Sequence, residues 1–170
     1  MVKFTIDQSH SEIGFKVKHM MFTNVSGRIG MYNATIEADN DALENANIYF
    51  EGDASSISTG NTDRDNHLKS EDFFDTENHP KIKFKSTSFD PQGKLKGDLE
   101  IRGVSKPIVL DVDFGGIGKD PWGNTKLGMT LTGKINRKDW GLNWNSALET
   151  GGVLVSDEVK LIIDLQFVKQ

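Results

Sequence analysis

The sequence of 170 residues contains no cysteine, and it has few prolines and few histidines, with 4 of each. Without cysteine, the protein cannot form disulfide bonds, thiolate nucleophiles, iron–sulfur clusters or cysteine-based zinc sites. The histidines His10, His19, His67 and His79 form no H-x-H or H-E-x-x-H pair. Their spacing therefore predicts no metal site.

The sequence also lacks long apolar runs and an excess of positive charge. No run approaches the roughly 18 apolar residues that a membrane-spanning helix needs. The first residues, from Met1 to Asp7, lack the apolar stretch of a signal peptide, so we predict a cytoplasmic protein that does not span a membrane. Acidic residues outnumber basic ones by 25 to 20, and the resulting net charge of -5 argues against a nucleic-acid partner.

Hydrophobic residues account for 36% of the chain and glycine for 17 residues, a composition that is typical of a globular protein. No linker, internal repeat or low-complexity segment interrupts the sequence. We therefore predict a single domain, 1–170, that is large enough to bury a substantial core.

Apolar residues alternate with polar ones along most of the chain. The clearest alternating runs begin at Ile13, Ile48, Ile82, Leu95, Leu110, Leu127 and Val159. This alternation is typical of antiparallel strands with one dry face and one wet face. Because almost no helical pattern is available to cover the dry face, we predict an all-β fold in which the sheet closes into a barrel.

The connections between the predicted strands carry two kinds of signal. Hairpin turns are predicted at Asp90-Pro91-Gln92-Gly93 and at Arg102-Gly103. The segment 54–80 has no strand pattern, and Thr62-Asp63-Arg64-Asp65 within it resembles a capping box. We predict a short helix around 61–70, from about Thr62 to Lys69. Asp65 and His67 form an acid–base pair in one interpretation, and they cap and brace this helix in the other.

No catalytic motif stands out in the sequence. The segment Gly128–Lys134 spells the G-x-x-x-x-G-K of a phosphate loop, but Ile135 follows where that loop needs serine or threonine. The interior of the segment also alternates like a strand, so we interpret the match as coincidence. We predict no catalytic residues and no cofactor.

Candidate ligand-binding residues are those expected inside the barrel or around its mouth. On strands they are Phe15, Val17, His19, Phe50, Phe84, Met129, Leu131 and Ile163, and off the strands they are Met20, Phe22, Phe74, Trp140 and Trp144. His19 either anchors the polar end of a ligand or is a structural histidine. A barrel of about eight strands is filled by its own side chains or holds one small ligand, and the sequence leaves both open.

Several separated motifs occur in order along the chain. They are DQSHS at 7–11, GFKVKH at 14–19, SISTGN at 56–61, RDNHL at 64–68, DFFD at 72–75, GDLEIRGV at 97–104 and INRKDWGL at 135–142. With these motifs, the chain resembles the bacterial YceI-like family over nearly its whole length. The resemblance implies an extended, up-and-down antiparallel β-barrel of lipocalin type, with a helix in the long connection.

The resemblance also implies a function, which is binding of polyisoprenoids and related amphiphiles in the barrel pore without catalysis. It implies homodimers, and export to the periplasm in many relatives, from which this sequence departs because it has no signal peptide. We predict a protein that binds, and transports or stores, a polyisoprenoid or fatty amphiphile. Arg64 and Arg137 are candidates for an anionic headgroup, or they pair with Asp65 and Asp139.

Two other functions remain open at this stage. One is an enzyme that acts on an amphiphile in the pocket, with His19 or His67 as general base. The other is a stress or interaction protein whose barrel is plugged by its own tryptophan and phenylalanine side chains.

Overall fold

The computed structural model describes residues 1–146, 148 and 154–170. The first half of the chain forms strands β1 (Val2–Ile6), β2 (Glu12–His19), β3 (Thr23–Ile29), β4 (Tyr32–Ala38), β5 (Asn47–Asp53) and β6 (Ile57–Ser58). The helix α1 spans Thr62–Lys69. The second half forms strands β7 (Lys81–Phe89), β8 (Lys94–Ile101), β9 (Val104–Lys119), β10 (Thr125–Asn136) and β11 (Val155–Lys169). Short 3-10 helices lie at Gln8–His10, Ala54–Ser56 and Arg137–Trp140.

Eight long antiparallel strands close into a barrel. β1 and β2 act as one long strand interrupted by a 3-10 turn, and β3 and β4 form a second one. β11 closes the ring, since it pairs with β10 on one side and with both β1 and β2 on the other. The predicted all-β, up-and-down, lipocalin-like barrel with one short helix is therefore confirmed.

Burial follows the alternation in the sequence. In β7, Ile82 and Phe84 are buried, while Lys81, Lys83 and Lys85 on the other face are exposed. Each buried side chain of this size contributes about 1.5–3 kcal/mol relative to an exposed one, so the alternation determines which face of each strand turns inward. Gly128–Lys134 lies within β10, as expected for a strand rather than a phosphate loop.

One end of the barrel is filled by its own side chains. Phe4, Ile36, Leu127 and Phe167 are almost completely buried there, and Leu43 from the β4–β5 connection is buried beside that end. The predicted turns at 90–93 and 102–103 join β7 to β8 and β8 to β9. Within the described ranges, the structure has no helix that is long and apolar enough to cross a membrane.

The helix α1 begins and ends at the predicted residues, but the predicted capping box is wrong. Asn61 is the cap, because its side-chain oxygen accepts from the backbone N–H of Arg64 at 3.0 Å. Asp65 instead accepts from the backbone N–H and the hydroxyl of Thr59, at 2.8 and 2.6 Å. The helix is thus tied to the chain that follows β6.

Asp7 stabilises the junction between β1 and β2 through hydrogen bonds of its carboxylate. Its carboxylate accepts from the backbone N–H and the hydroxyl of Ser9, lies 2.9 Å from Nδ1 of His10, and accepts from Nζ of Lys126 in β10 at 3.1 Å. The hydrogen bonds with Ser9 and His10 contribute most to holding the pKa of Asp7 well below its ordinary range, and the bond with Lys126 contributes less. Burial acts in the opposite direction.

Replacing Asp7 by asparagine should therefore have a pH-dependent effect. Since the folded pKa is depressed, the stability from this carboxylate is complete above the ordinary pKa of about 4 and is lost as the pH falls further. Asp7→Asn should lower the free energy of unfolding by about 1–2 kcal/mol near pH 7. Urea unfolding at a series of pH values should show the difference from wild type shrinking below about pH 4. A difference that stays constant down to about pH 2 would contradict this account.

Candidate functional site

A cavity of about 340 Å³ occupies the interior of the barrel. This volume is within the range of about 300–1,000 Å³ that ligand pockets span. Its wall is formed mainly by apolar side chains on the inward faces of the strands, among them Phe15, Ala34, Phe50, Phe84, Leu131 and Leu161. An apolar ligand in this cavity would be buried without needing specific hydrogen bonds.

The two ends of the cavity differ. At one end Leu95, Leu110 and Phe167 line it, and the tightly packed side chains beyond them fill the barrel. At the other end, which we call the mouth, the lining consists of strand ends, α1 and the connections beside them. The mouth is lined by His19, Thr59, Arg64, His67, Trp144 and Leu154. The cavity is therefore blind at one end and bordered by polar groups at the other.

Glycines on neighbouring strands make room for two aromatic rings of the cavity wall. Phe15 in β2 lies opposite Gly27 in β3, and a Cβ on Gly27 would be only 2.3 Å from the phenyl ring. A Cβ on Gly97 in β8 would likewise lie 2.4 Å from the ring of Phe84 in β7. The rings thus rest against the neighbouring strand. This placement leaves the cavity open, contrary to the plugged-barrel alternative.

Every titratable side chain that lines the cavity among the described residues is basic. They are His19, Arg64, His67 and Arg137, with the exposed Lys18 at the outer rim of the mouth. Arg64 donates from Nε to the hydroxyl of Thr59 at 2.7 Å and from Nη2 to its carbonyl at 2.8 Å. The predicted pairing of Arg64 with Asp65 is therefore wrong, because both side chains bind Thr59 instead.

Arg137 is 3% exposed and holds together the connection between β10 and β11. Its guanidinium donates to the carbonyls of Leu142 and Trp144 in the connection and to those of Val155 and Ser156 at the start of β11. Burial lowers the pKa of Arg137, while the negative charge of Asp157 acts in the opposite direction. The predicted partner Asp139 is wrong, since the nearby carboxylate is that of Asp157, at 3.9 Å.

His67 forms part of an aromatic cluster at the mouth. Its Nε2 lies 2.8 Å from the carboxylate of Asp72, and its ring packs edge-on against Trp144 and Phe73, with centroids 4.6 and 5.1 Å away. The predicted pair of Asp65 and His67 is not formed, because each has another partner. The His67 ring therefore forms part of the cavity wall at the mouth. No cluster of three or more His, Asp or Glu side chains that could hold a metal occurs in the described part of the chain.

Ten of the thirteen predicted ligand-binding residues line the cavity. These are Phe15, Val17, His19, Phe50, Phe74, Phe84, Leu131, Trp140, Trp144 and Ile163. Met20 and Phe22 do not, because the inward alternation of β2 ends at His19 and the following turn is exposed. Met129 is buried, but it lies two residues nearer the filled end than Leu131. Contact of these side chains with a ligand stays a prediction.

The prediction missed lining residues of two kinds. Leu95, Leu110 and Leu161 share the inward alternation of their strands, so the signal for them was present in the sequence. Thr59 and Leu154 lie in connections, where no periodic pattern marks them.

Known proteins share this architecture and this sequence pattern. The chain matches the family model of the YceI-like domain over residues 4–167. It belongs to the YceI-like family. A UPF0312 protein of Staphylococcus aureus (strain N315) is 39% identical to it over 168 residues, which cover 98% of each chain.

Solved structures extend the comparison. The YCEI protein of Campylobacter jejuni is 34% identical to this YceI-like chain and superimposes with a TM-score of 0.78, over 97% of this chain and 96% of its own. BcnA of Burkholderia cenocepacia is 19% identical, with a TM-score of 0.80 over 95% and 98% of the two chains. A polyisoprenoid binding domain from Saccharophagus degradans, implicated in plant cell wall breakdown, is 14% identical, with a TM-score of 0.76 over 100% of both. The last two share the fold alone.

Replacing Arg137 by lysine should loosen the mouth of this YceI-like domain. A lysine keeps the charge, but one ammonium group cannot reach four carbonyls arranged around a guanidinium. We expect the free energy of unfolding, measured in urea, to fall by about 2–4 kcal/mol, since several buried acceptors lose their donors. Hydrogen exchange of the backbone N–H groups at 142–144 should become faster.

The matched control is Arg28→Lys, at an exposed position of β3. It should change the free energy of unfolding by less than about 0.5 kcal/mol. An equally small loss in both variants would show that Arg137 does not hold the mouth together.

Proposed function

We propose that this YceI-like protein binds a long-chain amphiphile of polyisoprenoid or fatty type and transports or stores it without changing it chemically. The observation that carries the proposal is the unfilled apolar cavity, closed at one end by Leu95, Leu110 and Phe167. The hydrocarbon tail lies in the cavity, and the polar head lies at the mouth.

The apolar wall supports binding through the tail. Burying each CH₂ group contributes about 0.8 kcal/mol, so ten groups contribute roughly 8 kcal/mol before the cost of ordering the ligand is subtracted. Such a wall discriminates weakly among tails of similar shape. The filled end of the barrel limits the length of tail that fits.

The basic side chains at the mouth support a polar head at that end. His19 and Arg64 line it, whereas no acidic side chain lines the cavity among the described residues. The guanidinium of Arg137 already donates to backbone carbonyls, so we assign this residue to shaping the mouth rather than to binding the head. The similar fold of the Saccharophagus degradans polyisoprenoid binding domain is a further support for an isoprenoid ligand. A homodimer and a cytoplasmic location stay predictions.

Affinity should increase with tail length until the cavity is full. Purified protein freed of lipid by organic extraction is titrated with a series of linear prenyl alcohols of increasing length. Trp140 and Trp144 line the cavity, so their fluorescence reports binding, and Trp122→Phe removes the signal of a tryptophan that is exposed on a distant turn. We expect the binding free energy to improve with each isoprene unit and then to level off.

A matched pair of variants tests whether the cavity is the binding site. Ala34→Phe places a ring inside the cavity, and it should weaken binding at least about tenfold and shorten the longest tail that binds. Val109→Phe adds the same ring to the exposed face of β9 and should leave binding unchanged. Leu161→Trp is a second cavity-filling variant for use if Ala34→Phe does not fold. Equal binding by the filled and control variants, or failure of every prenyl alcohol to bind, would contradict the proposed function.

A further inference from the structure

The turn between β2 and β3 presents three consecutive apolar side chains to solvent. Met20, Met21 and Phe22 are 39%, 58% and 78% exposed. We call these three residues the hairpin tip. Single exposed apolar residues are common on proteins, but a contiguous group at the end of a hairpin is typical of an interaction surface.

The backbone of the hairpin tip is unusual for its sequence. Met20 has a φ of 53° and Met21 a φ of 64°, both in the left-handed region. Turn positions with a positive φ favour asparagine and glycine, since other side chains crowd the backbone there. Because both methionines are exposed, burial within this chain does not compensate for the strain. Packing in the isolated domain therefore gives no reason for apolar residues at this position.

Lysines line the outer face of the barrel next to the hairpin tip. Lys16 and Lys18 alternate with inward-facing residues of β2, and Lys16 lies opposite Lys160 in β11, which in turn lies opposite Lys134 in β10. Like charges on neighbouring strands destabilise a sheet. A negatively charged surface in front of these lysines would relieve that repulsion.

On this outer face, the acidic side chains pair with basic residues other than Lys16, Lys18 and Lys160. The ion pairs nearby are Glu158 with Lys134 at 3.8 Å, Asp157 with Lys138 at 3.4 Å, and Glu12 with Arg28 at 4.0 Å. Lys16, Lys18 and Lys160 form no ion pair within the part of the chain that the structure describes. This face is therefore positive, although the whole chain carries a net charge of -5.

The spacing of the lysines and the hairpin tip matches the layers of a lipid bilayer. At about 3.3 Å per residue along a strand, Met20 lies roughly 7 Å beyond Lys18 and 13 Å beyond Lys16. The headgroup layer on each side of a bilayer is roughly 5–7 Å thick. With the lysines at the level of the phosphates, the side chains of the tip reach the edge of the hydrocarbon.

We propose that the hairpin tip and Lys16, Lys18 and Lys160 dock this end of the barrel on an anionic lipid bilayer. The proposal rests on the proposed function in one respect, namely that docking brings the mouth to the source of its ligand. The backbone N–H of Met20 donates to the carbonyl of the mouth residue Leu154 at 2.8 Å, so the tip and the mouth adjoin.

Sedimentation with lipid vesicles tests the docking. Wild-type protein should bind vesicles of phosphatidylcholine containing about one third phosphatidylglycerol, and should bind pure phosphatidylcholine vesicles more weakly. The double variant Met21→Ser/Phe22→Ser should lose at least about tenfold in affinity for the anionic vesicles. Lys16→Gln/Lys18→Gln should also weaken binding and reduce its dependence on salt concentration.

The matched control is Trp122→Ser. Trp122 is 83% exposed on the turn between β9 and β10, at the opposite end of the barrel, and its replacement should leave vesicle binding unchanged. The proposal is overturned if wild-type protein does not bind anionic vesicles, or if the Trp122 variant loses as much affinity as the tip variant. It is also overturned if the tip variant changes only the sedimentation mass of the free protein, because the tip would then join two copies of the chain.

The docking and the proposed function can fail separately. Ala34→Phe should weaken ligand binding at least about tenfold and still bind anionic vesicles, which would support docking by the tip. A wild-type protein that takes up prenyl alcohols from detergent micelles but ignores vesicles would retain the proposed function and overturn the docking.

Discussion

Closure of the sheet at β11 is the constraint on which the rest of the structure depends. The first part of β11 pairs with β2 and its last part pairs with β1, so each long strand that the structure describes has a neighbour on both sides. Once the ring is closed, half of the side chains of every strand must point inward, and their sizes decide what the barrel contains. Phe4, Leu127 and Phe167 fill one end, whereas Ala34 and the ring of Phe15 held against Gly27 leave space further along.

The cavity and its mouth are stabilised by different interactions. The cavity wall depends on apolar alternation, which tolerates exchanges between residues of similar volume. The mouth consists of connections, and one buried cation, Arg137, gathers the backbone carbonyls on both sides of the connection from β10 to β11. Removing a charge from water is costly, and here several carbonyl acceptors compensate for that cost. The mouth therefore depends on hydrogen-bond geometry that only a guanidinium satisfies.

Sequence reasoning was reliable where one residue pattern determines one structural outcome. The alternation of apolar and polar residues identified the inward positions Phe15, Leu131 and Ile163. The acidic residues of the first turn located α1. It failed where the partner of a side chain lies outside its own element. Asp65 fits a capping box by local sequence, but its carboxylate binds Thr59 in the preceding connection.

The boundaries of the cavity could not be predicted for a related reason. Alternation indicates which side chains of a strand point into the barrel. It does not indicate at which residue the packed end of the barrel gives way to the cavity. Met129 and Leu131 share one face of β10, and only Leu131 lines the cavity. Met20 and Phe22 continue an apolar sequence beyond the last inward residue of β2, so composition alone placed them among the residues around the mouth.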